Sequence, residues 1–167
     1  MKPLHIQSVH YGYILNPTPN GRMSAISDGA LATNDIGQIV FVGPRAEMPS
    51  IPDDASIYDH GGKILCPGFV DLHVHLPQIR ARARVREDLL QWLNKEIYPA
   101  ELAFSDTHYA ERCAESFTDE CIRNGVTTTV SFLTVHEAAA QRAFEVVANS
   151  GLKAIMGTVQ MERNGPQ

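Results

Sequence analysis

The sequence predicts an α/β chain in which parallel β/α units follow a small β region. Three observations predict it. After residue 65, strand-like and helix-like runs alternate as strand, helices, strand, helix, strand. That is the pattern of βαβ units wound right-handed. Those later strand runs are apolar or β-branched with no clean polar face, as expected of strands covered on both sides. Before residue 65, short strand-like runs are punctuated by Gly, Pro, Asn and Asp.

The first region can be taken in order. Residues 6–15 alternate through Val9, Tyr11, Tyr13 and Leu15, which predicts a strand. Residues 16–21, Asn-Pro-Thr-Pro-Asn-Gly, are a turn or loop cluster. Residues 28–33 and 38–44 read as strands joined by the turn Asn34-Asp35-Ile36-Gly37, hence a hairpin, and Gly43-Pro44 ends it. Residues 49–54 form a polar loop, residues 56–59 a short strand, and His60-Gly61-Gly62-Lys63 a turn. No catalytic pattern occurs here, and His5, His10 and His60 read as ordinary surface or loop histidines.

Residues 65–78 are the stretch around which the chain is organised. Ile64, Leu65, Phe69, Val70, Leu72 and Val74 are its apolar content, and Pro67-Gly68 punctuates the entry. Strict alternation puts Asp71, His73 and His75 on one face. Two imidazoles one step apart can reach a single metal ion. The bare pair is weak evidence, since about 0.3 His-x-His pairs arise by chance in a chain of this size with 7 His. A cupin-like site also uses His-x-His, but it wants a nearby glutamate on the same strand, and residues 76–86 hold no acidic residue.

Beyond Gln78, Arg80, Arg82, Arg84 and Arg86 fall at every second position. An extended backbone would put all four on one side. An anion-binding edge is one reading, and a solvated loop face is the commoner outcome. Nucleic-acid binding fits least, because no aromatics interleave. Asp88 caps a helix carried by Leu89, Leu90, Leu93 and Ile97, with Pro99 expected to stop it. Trp92 is a packed helix aromatic in this reading. Ser105-Asp106 caps a helix over 107–124, with Phe117, Cys121 and Ile122 on its buried side, and Gly125 ends it. Residues 126–133 are β-branched and aromatic, hence a strand. An alanine-rich helix follows over 137–149, then a strand over 152–160.

Composition bounds the function. The chain has 167 residues, 44% hydrophobic and 20% charged, an ordinary globular balance. A net charge of -5 disfavours nucleic acid and anionic membrane as partners. Cys66, Cys113 and Cys121 show neither disulfide nor thiolate-metal spacing. With no apolar N-terminal run and no membrane-length run, a cytoplasmic location is expected.

Pro67-Gly68-Phe69-Val70-Asp71-Leu72-His73-Val74-His75 resembles the first barrel strand of the amidohydrolase superfamily. Leu76-Pro77-Gln78 is similar to the guanine deaminases within it, as are Leu90-Gln91-Trp92-Leu93 and Tyr98-Pro99-Ala100-Glu101. Asn124-Gly125-Val126-Thr127-Thr128-Thr129, followed by Thr134-Val135-His136, and then Gly157-Thr158-Val159-Gln160-Met161 continue the likeness in order. The resemblance implies a metal-dependent hydrolase (β/α)8 barrel represented by its first three strands. Residues 66–167 would be those units, and residues 1–65 the N-terminal part of a small β-sandwich domain. A complete barrel takes about 250 residues, so this chain corresponds to an incomplete one.

The same resemblance implies one Zn2+ per complete site, with His73 and His75 as two of its ligands. It makes His75, Leu76, Pro77 and Gln78 substrate-binding, Gln78 reading the mixed edge of a purine through its amide. Asp71 would be a structural hydrogen-bond acceptor and His136 a loop histidine on the same rim. The proton-shuttling glutamate and the last-strand aspartate would lie beyond Gln167, so the chain alone is expected to be inactive and to hold zinc weakly. The implied reaction is hydrolytic deamination of a purine base, guanine to xanthine plus ammonia, with a homodimer at full length. The arginine-rich segment departs from the family pattern, which keeps two alternatives open. One is another aminated heterocycle such as a pterin, triazine or adenosine-type nucleoside. The other is a non-catalytic remnant acting as a binding or assembly module.

Overall fold

Local turn chemistry sets the first ladder. Strands β1 (Ser8–Pro17), β2 (Met23–Thr33), β3 (Ile39–Pro44) and β4 (Ser56–Leu65) form one sheet in the order β3-β2-β1-β4. The structure is a computed structural model describing residues 5–160. Expectations that fall on residues 1–4 and 161–167, including Met161 of the last block, lie outside the described residues. Asn34 closes the β2–β3 hairpin by accepting from the amides of Ile36 and Gln38 at 3.2 and 2.8 Å. The β1–β2 and β2–β3 pairings are antiparallel, while β4 runs parallel to β1. Val9, Ala30 and Ala32 are fully buried on one face of this sheet.

One expectation in this region fails. The residues His60-Gly61-Gly62-Lys63 do not end a strand. They sit inside β4, and the pairing with β1 slips between Tyr11 and Tyr13 to absorb them. Asp59 accepts from the Gly61 amide at 2.8 Å, so a local side-chain turn is accommodated as a bulge.

The chain separates into two compact units, one ending at Pro67 and the other beginning at Gly68. In the second unit, β5 (Phe69–His75) is followed by helices α1 (Leu89–Trp92), α2 (Tyr98–Ala103) and α3 (Thr107–Arg123). Strand β6 (Val126–Leu133), helix α4 (Glu137–Asn149) and strand β7 (Lys153–Thr158) complete it. The three strands are parallel in the order β5-β6-β7. Amphipathic spacing decides the helix faces: α3 buries Ala110, Cys113, Ala114 and Phe117, and α4 buries Ala139, Ala140, Ala143 and Val147. The alanines let the two helices approach closely, and Phe104, Phe117, Leu76 and Leu133 fill the core between them and the sheet. Each such large side chain contributes about 1.5–3 kcal/mol by leaving water.

Helix caps follow their sequence signals. Asp88 and Asp106 accept from the amides of Gln91 and Tyr109 at 2.8 and 2.9 Å. Pro99, however, does not stop a helix. A π-helical turn, Leu93–Ile97, joins α1 to α2, and Pro99 occupies the first turn of α2. There its missing N–H leaves no orphan beyond those a helix start already has.

At the end of α3, Gly125 takes φ 77°, and its amide donates to the Ile122 carbonyl at 3.0 Å. A side chain at that dihedral costs about 1–2 kcal/mol. Gly125→Ala is therefore expected to lower unfolding stability by about 1–2 kcal/mol in urea denaturation. An unchanged midpoint would show that the α3–β6 connection tolerates another backbone shape.

Candidate functional site at the rim of the parallel sheet

The ladder between β5 and β6 decides which side chains reach the rim. It pairs His75 with Phe132 and Asp71 with Thr129, but Val74 with Ser131. Leu72 and His73 thus together oppose the single residue Val130, a β-bulge. The bulge reverses the facing of Asp71 relative to the two histidines, and a second register shift lies between Phe69 and Val70. Thr129, Ser131 and Leu133 are buried on the helix side, and Asp71, paired with Thr129, faces the same way. Burial pushes the Cys121 thiol on α3 up, and the Asp71 carboxylate adds to it. The expected single face for Asp71, His73 and His75 is corrected accordingly: only the two histidines share one. Asp71 is nonetheless a hydrogen-bond acceptor, taking the His73 amide at 3.1 Å.

His73 and His75 meet with ring centroids 5.3 Å apart. The Phe132 ring packs against both, at 5.1 and 5.0 Å. Burial pushes the His75 imidazole below its usual range; the Glu101 carboxylate opposes this and His73 reinforces it. A neutral imidazole keeps a lone pair for a cation. Immediately after the strand, Leu76–Gln78 form a tight 3-10 turn. Gln78 donates its Nε2 to Glu101 Oε1 at 2.8 Å, and His75 Nδ1 lies 3.9 Å from the same oxygen.

A cavity of about 740 Å³ opens beside these groups. His73, His75 and Gln78 line it, with Trp92, all of residues 81–89, and Phe117, Glu120 and Cys121 of α3. Its size suits a small heterocycle. Leu76 and Pro77 are buried and do not line this cavity, Leu76 lying in the helix-side core. The tight turn sends these two apolar side chains inward and leaves Gln78 at the rim. His136 precedes α4, and its Nε2 has no hydrogen-bond partner among the described residues.

The arginine run is not extended; its four arginines are exposed, as a solvated loop face expects, but each has a partner. Residues 79–83 turn, with Ala83 at φ 63°. Arg80 donates to Ser116 at 3.3 Å, and Arg82 pairs with Glu120 at 3.1 Å. Arg84 and Arg86 both bind Glu96, whose side chain is 4% exposed. A buried carboxylate held by two guanidinium groups pins the segment across the cavity. Only the folded chain shows this, because alternation in sequence says nothing about partners 10 to 38 residues away.

Two imidazoles are two of the three protein ligands that a catalytic zinc takes. Among the described residues no group of three His, Cys, Asp or Glu is placed to hold a metal. The donors present therefore fit part of a zinc shell and do not complete it.

Comparison with known proteins decides the family. The description "Amidohydrolase family" matches residues 64–165. The chain belongs to the amidohydrolase family. Guanine deaminase of Escherichia coli strain K12 is 40% identical over 142 residues, covering 84% of this chain and 32% of that protein. The solved structure of E. coli guanine deaminase superposes with TM-score 0.80 at 31% identity, covering 95% of this chain and 39% of that one. Guanine deaminase from C. acetobutylicum, solved with guanine in its active site, gives TM-score 0.80 at 26% identity, with 97% and 38% covered. This amidohydrolase chain spans about a third of the length of the curated relatives it matches.

Glu96 gives a pH prediction. The Arg86 hydrogen bond holds its carboxyl below the ordinary range; burial opposes this and Arg84 adds to it. A depressed folded value means that the clamp is fully present above the usual glutamate pKa of about 4.3 and is lost as pH falls through the folded value. Hydrogen exchange of residues 79–88 should thus be slow at neutral pH and rise below about pH 4. In Glu96→Gln it should be fast throughout. Equal protection in the two proteins at pH 7 would contradict the clamp.

Proposed function

We propose that this chain supplies the first three strands of a (β/α)8 barrel in a zinc-dependent deaminase converting guanine to xanthine and ammonia. The observation that carries the reading is local. Gln78 stands at the rim one turn beyond His75, on the wall of the same cavity, in a chain 40% identical to a guanine deaminase over 142 residues. Parallel β/α order supports the barrel, whose active sites sit at the C-terminal ends of strands. His73 and His75 end just such a strand.

His73 and His75 would hold the zinc as neutral imidazoles, together with ligands from elsewhere in the complete protein. When bound, zinc supplies Lewis acidity at neutral pH. The remaining work of this chain is binding and orientation. Phe132 keeps both imidazole rings from turning by packing against them. Gln78 offers a donor and an acceptor to the flat edge of the base. The arginine-clamped segment of residues 79–88 forms one wall of the cavity.

The test is turnover by the protein purified from its source. Guanine should yield xanthine and ammonia in preference to pterins, triazines and adenosine. His73→Ala and His75→Ala should each lower bound zinc and cut kcat/KM at least about a hundredfold. Full turnover by His75→Ala would overturn the ligand assignment, and faster turnover of another heterocycle would overturn the substrate.

A further inference from the structure

An amide side chain has two chemically different ends that share one shape. Rotating it by half a turn exchanges donor and acceptor at almost no steric cost. A glutamine that reads a substrate therefore needs something to fix its orientation. Gln78 has such a partner. Its Nε2 lies 2.8 Å from Oε1 of Glu101, whose side chain is 14% exposed. Gln78 lines the cavity, whereas Glu101 is not among its lining residues and stands behind it.

A carboxylate offers only acceptors, so the N–H end of the amide must turn to it. The opposite rotamer would set Oε1 against a carboxylate oxygen. One N–H is thereby committed to Glu101, and Oε1 and the second N–H remain for the ligand. We infer that Glu101 is a positioning residue that fixes the donor–acceptor order of Gln78. The substrate it selects presents a ring N–H beside an unprotonated ring nitrogen, as a free purine base does at N9–H and N3. A base substituted at N9 lacks that N–H. This deepens the purine-deaminase reading and rests on it.

The helix geometry shows how Glu101 comes to stand there. A π turn holds one more residue than an α turn, which rotates all that follows by about 100°. Leu93–Ile97 is such a turn, four residues before Glu101. Pro99 then starts α2 with Glu101 in its first turn.

Two measurements separate this inference from the function it rests on. The first needs no activity: NMR of the Gln78 side-chain amide in the 167-residue chain. The proton facing Glu101 should lie downfield of its place in a free glutamine amide and exchange slowly, and Glu101→Ala should return it to the free-amide position and rate. Two fast-exchanging protons at the positions of a free glutamine amide in the unsubstituted chain would overturn the contact.

The second uses the protein purified from its source and its Glu101→Gln variant, whose amide can pair with Gln78 in either orientation. KM for guanine should rise about twofold, because about half of the Gln78 amides then stand in the competent orientation, with kcat unchanged. Preference for guanine over 9-methylguanine should shrink by a similar factor. Adding Glu101→Gln to Gln78→Ala should cost little more, because Glu101 acts only through that amide. Independent, additive losses, or a fall in kcat alone, would assign Glu101 a merely structural role. Slow Gln78 protons in a protein that turns over no purine would leave the positioning contact standing and sink the functional reading instead.

Discussion

The register of β5 against β6 is the constraint from which the site follows. Parallel hydrogen bonding places His75 opposite Phe132, and the Phe132 ring then contacts both histidines. Had the ladder run without its bulge, alternation would have carried Asp71 to the histidine side. Its carboxylate would then compete for any cation bound there. With the bulge, the carboxylate caps the His73 amide and stays on the side of α3. One extra residue thus separates a structural acid from two metal-type donors that lie two and four positions away.

Two glutamates on one helical segment then do different jobs. Glu96 lies in the π turn and gathers Arg84 and Arg86, while Glu101 lies in α2 and holds Gln78. The first fixes the wall of the cavity and the second fixes a side chain on that wall. Both are carboxylates paired with donors from the segment that follows β5. The chain after the strand is therefore ordered by charge-assisted and amide hydrogen bonds rather than by secondary structure of its own.

Much of this was legible before any coordinates. The spans of β6 and α4, the caps Asp88 and Asp106 and the stop at Gly125 follow from local chemistry, and local chemistry is what a sequence displays directly. The histidine pair and Gln78 stood out through their strand-end setting. What escaped the sequence depended on distant partners. Pro99 reads as a stop unless the π turn before it is known. The bulges at Leu72-His73 and in β4 arise from a neighbouring strand, since a lone strand has no register to break. The arginines are exposed, as they read, but their partners escaped the sequence because Ser116, Glu120 and Glu96 lie on helices that only the fold brings near. Glu101 was visible within a family-like block, yet nothing in its neighbours disclosed that it would meet Gln78.

The Leu72-His73 bulge also governs how the motif could be moved. An Asp-x-His-x-His run copied onto a regular strand would swing its acid round to the metal side and change the donor set. To keep the acid on the far surface, a designer grafting these ligands onto a flat sheet would have to delete one position between Asp71 and His73. The spacing of this motif is a property of two strands together, and transplanting one without the other would transfer the letters but not the site.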